Sequence, residues 1–191
     1  RGMRKALQIL IGALLATGLS CGGAGAARPA AQGGEHWGRL HASGPAAAPT
    51  GFMVFCLKTP AFCQGGGASE VAYSEALAKT LAAVNRSVNS AIRPVSDRAD
   101  VWSVNVRSGD CEDYALTKRA RLMALGLPSG SLRIATARTS SGIGHAVLVV
   151  RTSAGDLVLD NMRADVVAWS KSGLSWIALS GANPLRWSRI G

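Results

Sequence analysis

The chain of 191 residues predicts an α+β domain, with helices packed on an antiparallel sheet. Apolar residues recur at helical spacing in two stretches, 69–92 and 111–125. The pattern then changes to period two, in segments rich in Val, Ile and Leu between 132 and 160. Helices come first and strands afterwards, which favours an α+β layout over alternating parallel units. A hydrophobic content of 48% against 17% charged residues excludes a disordered chain and supplies enough material for one core.

The first stretch, 1–27, has the layout of a signal peptide. Basic residues Arg4 and Lys5 precede the apolar run Ala6–Leu19, and small residues follow to Ala27. The run is too short to span a bilayer comfortably, and cleavage after Ala26 or Ala27 is expected. The expected location is therefore the periplasm. Cys21 raises lipid attachment, but that pattern wants a large aliphatic residue where Gly18 stands. Without Arg1, Arg4 and Lys5 the formal charge falls from +10 to +7. The basic residues are scattered and lack aromatic interleaving, so they suit a solvated surface or an acidic partner and not nucleic acid. Residues 28–50, rich in Ala, Gly and Pro, read as a flexible leader, with His36 and His41 as solvated linker residues. The domain itself is expected over 51–191.

Cys56 and Cys63 read as a disulfide in an exported chain. A closed loop of this size contributes roughly 2.5 kcal/mol in the chain-entropy model. Zinc is the alternative, without a Cys-x-x-Cys or paired-His pattern to support it. A helix is expected from Ser69, as N-cap, to Ile92, with Pro94 stopping it. An irregular crossing from Val95 to Gly109 leads to a second helix, 111–125, closed by Gly126 and Pro128. Its last turns carry Lys118, Arg119 and Arg121, where cations suit the helix dipole. Strands are expected at 132–138, 144–151 and 156–160. The last two form a hairpin around Ser153 and Ala154, and further strands lie between Val166 and Ile190.

Cys111 opens the second helix and is the one cysteine left over in the exported domain. It is either a buried apolar residue or a nucleophile. Unpaired N–H groups at a helix start favour a thiolate and can bind an oxyanion. From residue 50 onward the chain holds one histidine, His145, so the base is His145 or none. Gly142 and Gly144 beside it leave room for a substrate backbone. In the hairpin register Asp160 faces Val147, which sets it diagonal to His145 on the same face, where a carboxylate would orient the imidazole. Asp156 is the competitor but reads as a turn residue, and Asn161 offers a further hydrogen bond. Asp110, Glu112 and Asp113 raise the thiol pKa unless compensated. They are either plain helix-start charges or ligands for Ca²⁺, which would offset them.

Gly-Asp-Cys-Glu-Asp-Tyr-Ala-Leu at 109–116, Gly-His-Ala-Val-Leu at 144–148 and Leu-Asp-Asn at 159–161 resemble the bacterial transglutaminase-like cysteine proteinases. The Phe-Cys…Cys segment at 55–63 and the Val-Asn…Val-Asn stretch at 84–89 match as well. The family includes the periplasmic LapG-type proteases. The resemblance implies a papain/transglutaminase-like fold and a cysteine protease with its triad on Cys111, His145 and Asp160. It also implies calcium dependence through the acids beside the cysteine. The partners it implies are a large surface adhesin as substrate and an inner-membrane receptor for cyclic diguanylate as regulator. Amide acyl transfer by the same triad, or a catalytically silent binding module, are the alternative functions.

Overall fold

Seven strands form one antiparallel sheet in the order β1-β9-β8-β4-β5-β6-β7. They are β1 (Ala42–Ala46), β4 (Leu132–Arg138), β5 (Gly144–Thr152), β6 (Gly155–Leu159), β7 (Val167–Ala168), β8 (Ser175–Ser180) and β9 (Trp187–Ile190). Among the described residues three α-helices accompany it: α1 (Thr50–Lys58), α2 (Glu75–Ala91) and α3 (Cys111–Ala124). Two short strands, β2 (Arg93–Pro94) and β3 (Ser108–Gly109), pair in parallel just before α3. The computed structural model describes residues 36–96 and 100–191. The signal peptide expected over 1–27, Cys21 within it, and residues 28–35 of the expected leader lie outside the described residues.

The leader reading fails for residues 36–50. Ala42–Ala46 pairs with Trp187–Ile190 as the sheet's edge strand, and Leu40 is buried. Trp37 N–H donates to Ala154 O at 2.8 Å, and Leu40 N–H to Asp156 Oδ2 at 2.9 Å. Main-chain hydrogen bonds need no large side chains, so an Ala/Gly/Pro-rich stretch can be ordered by pairing that composition does not reveal. The domain boundary expected at residue 51 therefore moves upstream.

α2 begins later than the periodicity suggests. Ser74, not Ser69, is the N-cap, accepting the Leu77 N–H at 3.1 Å. Val71 instead bridges to Thr152 beside β5. The β5–β6 hairpin has the expected register, with Leu148 opposite Leu159 and Thr152 opposite Gly155.

The sheet is buried on both faces, so β5 is apolar at almost every position from Ala146 to Val150. One face packs Ile134, Leu148, Val150 and Leu159 against Leu81, Val84, Val88 and Leu116 of the helices. The other gathers Val147, Val149, Val158 and Leu179 with Leu40. α3 is buried along Glu112–Arg119, charged residues included. This corrects the dipole reading of Lys118 and Arg119, which are each 1% exposed. Arg119 donates to Leu132 O at 3.1 Å and to Phe62 O at 2.8 Å, and lies 4.7 Å over the Phe62 ring. It thereby ties α3 to β4 and to the turn Pro60–Cys63.

Candidate active site

Cys111 is the first residue of α3. The helix starts there because Asp110 is extended and its carbonyl accepts the N–H groups of Asp113 and Tyr114 at 3.1 and 3.3 Å. Gly109 is required just before it, since a Cβ at that position would collide with the Asp113 carboxylate. Asp113 Oδ1 accepts the Ser103 N–H at 2.7 Å and fastens the crossing segment to the helix.

His145 is the second residue of β5, and Asp160 directly follows β6. His145 Nε2 lies 2.8 Å from Asp160 Oδ1, with both side chains buried. The same Oδ1 accepts the Met162 N–H at 2.9 Å. Cys111 meets this pair where α3 abuts β5: Ala146 N–H donates to Cys111 Sγ at 3.3 Å. Because Ala146 follows His145 in the strand, the Cys111 thiol, the His145 imidazole and the Asp160 carboxylate are gathered at one end of the helix. With Nε2 engaged by Asp160, Nδ1 is the ring nitrogen left for another partner.

The thiol is not held as a thiolate by the helix start. Burial, and then the Glu112 carboxylate, push its pKa up to about 12, while the Ala146 N–H pulls the other way. Cys111 Sγ donates to Glu112 Oε2 at 3.2 Å. Glu112 itself is pushed up to about 7, by burial and by neighbouring Asp110. Burial would raise Asp160 too, but the His145 and Met162 hydrogen bonds outweigh it and hold that carboxyl below its ordinary range. Asp160 thus stays ionised at neutral pH.

The three acids divide. Asp110 and Glu112 sit close together beside the thiol, one half-buried and one buried, hard donors whose mutual repulsion a cation would relieve. Asp113 does not fit as a ligand, because it is buried and its Oδ1 is committed to the Ser103 N–H. Among the described residues no three His, Cys, Asp or Glu side chains come together to hold a metal ion. The expected three-acid calcium site is therefore reduced to two carboxylates. The other sequence candidates resolve simply. Cys56 and Cys63 are joined, with Cα atoms 5.5 Å apart. Asp156 is a buried partner of Arg151, neither a triad member nor a plain turn residue. Asn161 Oδ1 is buried and accepts no hydrogen bond among the described residues.

A cleft of about 170 Å³ opens beside Asp160, walled by Thr139, Ser140, Met162, Arg163 and Leu174. Gly142 and Gly144 leave open space near the His145 strand. The larger cleft, about 470 Å³, lies between Trp37, Tyr73 and Val167 and includes no triad residue.

The family model for bacterial transglutaminase-like cysteine proteinases matches residues 42–191, most of the chain. The chain belongs to that family. Its α+β architecture is that of the transglutaminase-like fold. The solved structure of Legionella pneumophila LapG in its calcium-bound form aligns at a TM-score of 0.50 and 28% identity. The alignment covers 55% of this chain and 65% of the LapG chain, slightly under two thirds of that protein's length. The EGTA-treated form of LapG aligns at 0.46 and 27% identity, over 55% of this chain and 63% of that one. No curated protein matches the chain.

Within this transglutaminase-like proteinase, sequence reasoning overlooked the groups that fasten Asp160 and the loop after it to α2. Asn85 Nδ2 donates to the carbonyls of Arg163 and Ala164, and Asn89 Nδ2 to those of Asp160 and Arg163. The two Val-Asn pairs four residues apart were the available signal, because that spacing puts both amides on one helix face. Asn89→Ala frees the Asp160 main chain and is expected to lower kcat about tenfold to a hundredfold with little change in KM. A kcat equal to the parent's in steady-state assays would refute this positioning role.

Proposed function

We propose that this chain is an exported, calcium-assisted thiol endopeptidase with Cys111 as nucleophile, His145 as base and acid, and Asp160 as the orienting carboxylate. The observation that supports it most is the joining of three remote segments: Cys111 Sγ accepts the Ala146 N–H, and the adjacent His145 is bonded to Asp160. In the reaction, Cys111 Sγ attacks the scissile carbonyl carbon while its proton passes to His145 Nδ1. The oxyanion is met by main-chain N–H groups at the start of α3, which lack partners within the helix. His145 then gives the proton to the departing amine as the C–N bond breaks, leaving a thioester. Water, deprotonated by His145, releases the acid product and restores the thiol. Asp160 holds the ring in place and stabilises its charge throughout.

Asp110 and Glu112 are the residues that would hold calcium, and the ion would offset their negative charge beside the thiol. The Cys56–Cys63 link and the signal-like start of the chain favour periplasmic action. Kinship with LapG-type enzymes favours a large surface adhesin as substrate and an inner-membrane receptor as regulator. The test is incubation of the purified protein with adhesin fragments carrying Ala-Ala sites, with Cys111→Ala alongside. Cleavage by the parent, lost in Cys111→Ala and slowed by EGTA until calcium is restored, is the expected result. Cleavage surviving in Cys111→Ala would overturn the nucleophile; indifference to EGTA would overturn the calcium role. Incorporation of an added amine in place of hydrolysis would instead identify acyl transfer.

A further inference from the structure

The cleft beside Asp160 adjoins the triad, yet the mechanism above makes no use of it. Three turns wall it, each fastened by its own hydrogen bonds. In the turn between β4 and β5, Thr139 N–H donates to Ile143 O and Gly142 N–H to Thr139 O, both at 2.9 Å. After β6, Met162 N–H donates to Asp160 Oδ1, and Asn89 holds the carbonyls of Asp160 and Arg163. Before β8, Ser172 Oγ donates to Trp169 O at 2.7 Å and accepts the Leu174 N–H at 3.2 Å. The cleft is therefore preformed. Its volume, about 170 Å³, falls below the roughly 300–1,000 Å³ of pockets that enclose a whole small ligand, and suits one side chain.

The lining favours an apolar side chain. Met162, 65% exposed, and half-buried Leu174 offer aliphatic surface. The Thr139 hydroxyl is spent within its own turn, on the Ile143 N–H and on Ser141 Oγ. Arg163 brings a cation, but its Nη2 lies 3.2 Å from Asp165 Oδ2, so that charge is answered. The place of the cleft relative to a substrate follows from proton transfer. As general acid His145 serves the departing amine, so the strand that begins with that amine lies over the imidazole. Nδ1 faces the amine, and Nε2 is 2.8 Å from Asp160. The cleft is thus one ring and one hydrogen bond beyond the amine, on the leaving side of the scissile bond. At about 3.3 Å per extended residue, the first or second residue of the departing strand reaches it. Gly142 and Gly144 leave open space nearby for that strand's main chain.

We propose that this cleft is a specificity subsite that takes one aliphatic side chain from the first or second residue after the scissile bond. The inference rests on the endopeptidase reading given above. It makes Met162 and Leu174 specificity-determining residues, and the substrate a polypeptide with a leucine-like residue just beyond the cut.

The experiment follows the fate of the acyl-enzyme. Succinyl-Ala-Ala thiobenzyl ester acylates Cys111 and releases benzyl thiol, and the thioester is then shared between water and an added dipeptide amide. The amine attacks the thioester carbonyl, the C–N bond forms as the C–S bond breaks, and the amine proton passes through His145 to the cysteine sulfur. Both products come from one intermediate, so their ratio does not depend on the acylation rate. Leu-Gly amide or Gly-Leu amide is expected to capture the acyl group about tenfold better than Gly-Gly amide, and Gly-Asp amide no better than Gly-Gly. In Met162→Ala, which keeps the main-chain N–H on Asp160, and in Leu174→Ala the leucine preference shrinks to about threefold or less. If Leu174→Ala fails to fold, Met162→Ala decides, because that side chain is largely in solvent. Equal capture of the leucine and glycine amides, with turnover abolished in Cys111→Ala, overturns the subsite alone. A leucine preference that Met162→Ala retains in full, or a preference for Gly-Asp amide, overturns it as well. No turnover of the thioester by the parent, or turnover that survives in Cys111→Ala, overturns the catalytic reading and this inference with it.

Discussion

Alkylation of Cys111 at pH 7 is expected to drop about a thousandfold when His145 is replaced by alanine, the middle of the range for general-base assistance. Burial and Glu112 push the thiol up to about 12, so at neutral pH only about one thiol in 10⁵ would ionise unaided. The N–H of Ala146 lowers that barrier and does not remove it. The proton must therefore leave through His145. In His145→Ala the alkylation rate should climb about tenfold per pH unit through the alkaline range, with no plateau before about pH 12. The parent, with His145 to take the proton, should react faster at every pH in that range. Glu112→Gln moves the rate in the opposite direction. It removes the closest negative charge, lowers the thiol pKa, and is expected to speed alkylation about tenfold or more at neutral pH. Equal rates in the parent and His145→Ala would dismiss the imidazole as base.

Replacing Asp156 by alanine should have the largest effect on stability. Its side chain is 0% exposed, accepts Arg151 Nε at 2.9 Å and Nη2 at 2.8 Å, and also takes the Leu40 N–H. Removing it strands a partly buried guanidinium and an N–H together. Breaking one side of such a pair costs about 3 kcal/mol or more. For a chain of this size that lowers the melting temperature by about 6–12 °C. Alkylation of Cys111 below the transition should be unchanged, because Asp156 makes no contact with the triad. Thermal melts followed by circular dichroism check the first expectation, and a mutant melting with the parent would refute the anchoring role. Asp160→Ala should show the reverse emphasis, with reactivity lost first.

The grouping of Cys111, His145 and Asp160 was legible because its supports are periodic. The hairpin register follows from the alternation of apolar residues and a two-residue turn, and it alone puts Asp160 on the face of His145. α3 was legible from its glycine and proline stop signals and its apolar spacing. What stayed hidden depended on main-chain partners or on charges in unusual places. Ala42–Ala46 has no strand-forming composition, yet it lies against β9. The Ser69 start was misplaced because Val71 is drawn into a bridge with Thr152, a contact about eighty residues away. Lys118 and Arg119 look like surface charges in any sequence, and for Arg119 only the Leu132 and Phe62 carbonyls, which come from other elements, account for its burial. For the thiol both opposing effects were legible, since a helix start lowers a pKa and a neighbouring carboxylate raises it, but burial, the largest cause, was not. Which prevails depends on depth, and depth is not written in the local residues.

The pairing of β1 with β9 has a consequence for the order in which the protein matures. Ala42 meets Ile190, so the two strands come from opposite ends of the domain. The sheet margin cannot be completed until almost the whole chain has been synthesised and its remote segments have met. Pairing of such distant segments incurs loop-closure entropy before it gains any contact, which slows folding. Until that late encounter, β9 presents an open row of amides and carbonyls. The margin is thus the last part of the sheet expected to close, after β4, β5 and β6, which hold His145 and lead to Asp160, have paired across short connections.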